Sequence, residues 1–153
     1  MKDKEFSVRH TVVGHISRER LEYISDFTSE NVTVENYRKF LDYKDLADIL
    51  IYYPNPITRH EASFVIGELA ESGHHLSVLI SLLMPVIKFD ESIVAKHEAV
   101  EALGKVSNPN DVVMAYRFLT KITKPGYDEG VYHLDVQATV RESMGKLERK
   151  LLK

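Results

Sequence analysis

The sequence predicts an all-α chain, a short α-solenoid of stacked helix pairs. Three observations point there. Apolar residues recur at helical spacing in the readable segments, and no segment shows the strict two-residue alternation of a half-buried strand. Turn-forming runs, Pro54-Asn55-Pro56, Ser72-Gly73 and Ser107 to Asp111, separate those segments. One stretch of sequence also recurs 37 residues further on, a normal period for a two-helix repeat.

The elements follow in order. Ser17 stands before Glu19 to Ile24 as a helix start, with Leu21, Ile24 and Phe27 at helical spacing. Thr33 caps a second helix from Val34 to about Leu41, with Tyr37, Phe40 and Leu41 on one side. Lys44 to Tyr53 is a short helix burying Leu46, Ile49, Leu50 and Tyr53, and Pro54-Asn55-Pro56 stops it. Ile57 to Glu71 is helical and ends at Ser72-Gly73. Leu76 to Lys88 is strongly apolar, with Pro85 as an expected kink. After the turn Phe89 to Ser92 comes Ile93 to Val106. The turn Ser107 to Asp111 then supplies an Asn or Asp cap for Val112 to Ile122. Lys124 to Gly130 is a loop, and Leu134 to about Leu152 closes the series, its charged run Lys146 to Lys150 suiting a solvated capping helix.

The 153 residues suit a single domain, with 1–55 as divergent N-terminal helices and 56–153 as the repeats. Hydrophobic residues at 44% and charged residues at 28% match a folded globular chain and argue against disorder. A formal charge of −3 advertises no broad basic surface, so nucleic acid is not an expected partner. The longest apolar stretch, Leu76 to Ile87, is interrupted by Ser77, Ser81 and Pro85 and falls short of the ~20 residues of a membrane span. The N-terminal Met1-Lys2-Asp3-Lys4-Glu5 leads into no apolar core, so no membrane association and a cytoplasmic location are expected. With no cysteine there are no disulfides, thiolate metal sites or cysteine nucleophile, and the seven histidines become the residues to place.

Two of them lie in the repeat. Arg59-His60-Glu61-Ala62 with Gly67 is matched by Lys96-His97-Glu98-Ala99 with Gly104. A degenerate third copy runs from Asp135 to Met144, where Ala138 takes the place of Ala62 and Ala99 and Val136-Gln137 replaces the His-Glu pair. The small Ala62 and Ala99 let the first helix of each unit approach its neighbour. Gly67 and Gly104 are expected to allow tight contact with the second helix of the unit, against roughly 1 kcal/mol of lost helix propensity. Ile66, Leu69, Leu103 and Val106 fill the layer between helices. Each pair leaves apolar faces open on both sides, so stability comes from stacking.

The alanine–glycine helix with a basic residue before it resembles the HEAT-like repeats of the phycobilin-lyase-like kind. The doubled basic-His-Glu-Ala form, at His60-Glu61 and His97-Glu98, is similar to the His-Glu repeats of deoxyhypusine hydroxylase. That family is a HEAT-repeat di-iron monooxygenase of two similar halves, each with two His-Glu pairs. The likeness covers about Pro56 to Leu151, one half of such an enzyme. It implies His60, Glu61, His97 and Glu98 as metal residues, two iron ions as cofactor, and a homodimer that restores the full ligand count, with Glu61 as the bridging or cross-chain carboxylate. The family hydroxylates a modified lysine on a translation factor, so the resemblance also implies a protein substrate or partner on the concave face.

The residues themselves allow this chemistry. Adjacent His and Glu on a helix lie about 100° apart and can border one surface. Stacked repeats bring His60 near His97 and Glu61 near Glu98, giving two imidazoles and two carboxylates on one face. That set suits iron, manganese or zinc, and open positions admit oxygen or substrate. A second reading treats the pairs as structural, polar residues that cap or solvate the concave face of a non-catalytic scaffold for a protein partner. A scaffold variant, a chaperone for a bilin chromophore, rests on the generic repeat alone. His74-His75 reads as a surface turn, while His10, His15 and His133 lack supporting spacing. The tyrosines, among them Tyr37, Tyr43, Tyr52, Tyr53, Tyr116, Tyr127 and Tyr132, read as helix-packing residues. No zinc-protease, serine-hydrolase or phosphate-loop motif is present.

Overall fold

The computed structural model of the chain describes residues 30–39, 41–74, 76–124 and 134–153. The helix expected after Ser17, Phe40, the histidines at 10, 15, 75 and 133, and the loop residues 125–130 lie outside them. The described residues contain seven helices and no strand: α1 Val34–Lys39, α2 Tyr43–Tyr52, α3 Pro56–Glu71, α4 Ser77–Phe89, α5 Ile93–Gly104, α6 Pro109–Ile122 and α7 Leu134–Leu151. No helix among them is long and apolar enough to cross a membrane.

Helix starts are written in the local chemistry. Asp42 and Asp45 form a reciprocal capping box at α2, each side chain accepting the other's backbone N–H at 2.9 and 3.0 Å. Asn55 accepts from Ile57 N with Pro56 in the first turn of α3. Asn108 and Pro109 repeat that arrangement at α6, which therefore begins three residues before the apolar pattern does. Ser92 caps α5 through Ala95 N. At the end of α3, Gly73 takes φ +89°, and Gly73 N and His74 N bond Ala70 O and Leu69 O, the two-bond closure that favours glycine. α4 runs through Pro85 to Phe89.

Packing follows two rows. α3 lies on α5 and α5 on α7, while α2 contacts α4 and α4 contacts α6. Across the rows α2 packs on α3, α4 on α5 and α6 on α7. The apolar core runs through both, from Leu46, Ile49 and Leu50 in α2 to Val136, Val140 and Leu147 in α7. Ala62 and Ala99 are fully buried, as their size predicts.

Two expectations about the repeat need correcting. The glycines serve the contact between successive first helices, not the contact within a pair. A Cβ on Gly67 would stand 3.0 Å from Ala102 Cα, and one on Gly104 would stand 2.8 Å from Ser143 Oγ and 3.1 Å from Ser143 Cα. Ala138, matched by sequence to Ala62 and Ala99, is exposed. α7 instead buries Val136, Thr139, Val140, Ser143 and Leu147. Among the described residues α7 packs on α5 and α6, and the residues it buries there form a narrower stripe than the small-residue face of α3 and α5.

The basic residue of the repeat is structural. Arg59 is fully buried. Its Nε and Nη2 donate to the two oxygens of Asp90 at 2.8 and 2.9 Å, and Nη1 donates to Tyr53 O and Pro54 O at 2.8 and 2.9 Å. Asp90 also accepts from Ser92 N, the cap of α5. This bidentate pair ties the start of α3 to the start of α5, and so fixes the register in which the two His-Glu faces meet.

Candidate metal centre

The His-Glu pairs sit at the same level on neighbouring helices, one turn in from starts that Arg59 and Asp90 lock together. Across the seam the contact is diagonal: His60 Nε2 lies 3.0 Å from Glu98 Oε2. The other ring nitrogen, Nδ1, lies 3.3 Å from Glu61 Oε1 on its own helix. Both ring nitrogens thus face carboxylate oxygens. Both contacts are donor–acceptor pairs only when the imidazole carries two protons or a carboxyl supplies one.

Glu98 is the centre of this arrangement. Its side chain is 5% exposed, against 31% for Glu61 and 26% for His60. While Oε2 meets His60, the buried Oε1 has no hydrogen-bond partner. Burial pushes the Glu98 carboxyl up to about 7, with the neighbouring Glu101 carboxyl raising it further and His60 and Lys105 opposing. A buried carboxylate oxygen beside a second carboxyl and without a donor calls for a proton or a cation.

His97, Glu98 and Glu101 supply the place for one. Each offers a ligand atom, and the three atoms lie within 4.8 Å of one another, so the group could hold a metal ion. His97 and Glu101 are half-buried, which leaves the group open toward solvent on one side. The set of one imidazole and two carboxylates suits a divalent ion that accepts nitrogen and oxygen ligands. His60 is placed to orient Glu98 from outside the group, the way outer hydrogen bonds hold metal-binding side chains.

The four residues read from the sequence divide. His97 and Glu98 belong to the three-residue group, while His60 touches it through Glu98 and Glu61 touches His60. Glu101 was missed. It lies four residues after His97 and three after Glu98, hence on their face of α5. The repeat comparison hid it, because the matching position in α3 is Phe64. That ring is exposed and lies 4.8 Å under Lys105 Nζ, which also pairs with Glu68 at 2.7 Å. His74 lies just after α3 and its Nδ1 meets Leu69 O at 3.2 Å, consistent with the turn read there.

No protein-family model, curated protein or solved structure matches the chain.

Proposed function

We propose that this chain is a metal-binding helical-repeat protein, a short HEAT-like α-solenoid in which His97, Glu98 and Glu101 hold one divalent transition-metal ion. The observation that carries the reading is the buried Glu98 carboxylate, held at one oxygen by His60 and unpartnered at the other, beside His97 and Glu101. The alternation of contacts between the α3–α5–α7 row and the α2–α4–α6 row supports the solenoid.

Iron is the proposed metal. Mixed imidazole and carboxylate ligands with open positions fit iron of the oxygen-activating class, and the doubled His-Glu resembles the di-iron repeats of deoxyhypusine hydroxylase. The chemistry such iron supplies is dioxygen activation for hydroxylation. The protein's own part is to hold the ligands, to orient Glu98 through His60, and to keep one carboxylate edge dry. A di-iron enzyme would draw its second ligand set from a second copy of the chain, with Glu61 at the rim as the carboxylate that reaches across.

The competing reading is a scaffold that docks a protein on the same face, with the His-Glu seam as a polar staple. Exposed Ile57 and Val94, three residues before His60 and His97, favour it. Anaerobic Fe(II) titration followed by metal analysis and mass in solution tests the two together. The metal reading expects one iron per chain, abolished by His97→Ala and by Glu101→Gln. A chain that stays metal-free after reconstitution, or that binds iron equally well in both variants, supports the scaffold.

A further inference from the structure

The last turns of α7 carry Lys146, Arg149 and Lys150, spaced so that all three project to one side of the helix, and Lys153 follows two residues past its end. Together with Glu71 at the end of α3 and Gly104 at the end of α5 they line a cavity of about 290 Å³. Four cationic side chains thus share that space with one carboxylate, in a chain whose overall charge is −3. The C-terminal dipole of α7 favours basic residues in its last turn, while like charges three and four residues apart oppose one another, so the spacing gathers positive charge on one side at some local cost.

Lys150 is unlike an ordinary surface lysine. It is half-buried, and its Nζ donates to Gly104 O at 3.0 Å and Val106 O at 2.6 Å. Those bonds occupy the carbonyls at the end of α5, which would otherwise repel an anion. The Lys150 ammonium is pushed below its ordinary value by burial and by the neighbouring Lys146 and Lys153, with Glu71 opposing. Glu71 offsets Lys150 in part, and the lining holds three further cationic side chains, Lys146, Arg149 and Lys153. Lys146 reaches Glu142 only at 3.8 Å, on the exposed flank.

We propose that this cavity binds a small phosphorylated anion, with Lys150 as the anchored cation and Arg149, Lys146 and Lys153 as the groups that close on the phosphate. Arginine supplies the forked donor pair that matches phosphate oxygens, and lysines add point charge. The volume lies at the lower end for ligand pockets, about 300 Å³, which favours a phosphate or diphosphate group over a polymer. The site is independent of the proposed metal centre.

Isothermal titration of metal-free protein, in the presence of a chelator, with inorganic phosphate and then pyrophosphate at constant ionic strength tests it. Saturable binding of one anion per chain is expected, tighter for pyrophosphate. The Lys146→Ala/Arg149→Ala double variant, whose side chains reach solvent and whose fold is checked by circular dichroism, should weaken it at least tenfold. His97→Ala should leave it unchanged, which separates this site from phosphate captured by residual metal. Heat no different from that of added chloride, or affinity unaltered in the double variant, overturns the proposal, as does binding of an acidic peptide or RNA without any of pyrophosphate.

Discussion

α3 and α5 begin the same way and end up with different chemistry. Both carry a buried basic residue, then His-Glu, then a buried alanine and a glycine. In α3 the glutamate stays at the surface and turns back to its own histidine. In α5 the glutamate is buried, reaches across to His60 and stands with His97 and Glu101. The same dipeptide therefore ends in two different arrangements. Its setting decides: α5 has an equivalent helix on either side, and one turn further on it has a carboxylate where α3 has Phe64.

The anchoring of the two helices should separate them most strongly. Arg59→Ala leaves Asp90 buried without its counter-charge and is expected to lower stability by about 3–5 kcal/mol in denaturant unfolding. A loss below about 1 kcal/mol would mean that the Arg59–Asp90 pair is not what holds the start of α3 against α5.

A smaller effect is expected at the glycines. Gly104→Ala forces its Cβ against the short Ser143 side chain and backbone, so overpacking of about 1–3 kcal/mol should exceed the ~1 kcal/mol gained in helix propensity. Gly67→Ala should come out milder, since part of its crowding is the flexible Lys105 side chain. A Gly67 variant less stable than the Gly104 variant, measured the same way, would reverse the order of tightness read from the packing.

Orientation of Glu98 by His60 comes next. His60→Ala removes no member of the three-residue group, yet metal affinity should fall about 10–100-fold, the usual effect of losing an outer hydrogen bond to a ligand. Competition titration against a chelator measures it.

The pH dependence of the metal-free protein should show the gentlest change. Glu98 titrates near 7 when folded and near 4.5 when unfolded, so between those values the folded state holds the extra proton. Its contribution to stability is complete below about 4.5 and is lost as pH rises through 7. Glu98→Gln should flatten that part of the stability profile, as read by denaturant unfolding across the pH range. Metal binding, which needs the carboxylate, should strengthen over the same rise in pH.

The helical architecture was legible because caps, prolines and spacing are local. Pro54-Asn55-Pro56 and Ser107 to Asp111 read as breaks, and in the structure Asn55 and Asn108 cap the helices that follow them; Asp42 and Ser92 cap two more helices without having been read as caps. What spacing cannot say is which neighbour a face meets. That is why the glycines were assigned to the wrong contact, and why Ala138 was aligned with buried alanines although α7 exposes it. A shift of one residue turns a helical side chain by about 100°, enough to move it from core to solvent. His60, His97 and Glu98 were visible as a repeat. Glu101 was not, because it breaks the repeat, and the break is what completes the group.

On the proposed reading α5, not the His-Glu pair as such, holds the ion. Its most direct measure is metal stoichiometry after anaerobic Fe(II) loading of the parent chain, Glu101→Gln and Glu61→Gln side by side. One iron per chain is predicted for the parent and for Glu61→Gln, with loss of the ion in Glu101→Gln. Retention in Glu101→Gln together with loss in Glu61→Gln would contradict it and return the site to the bare dipeptide.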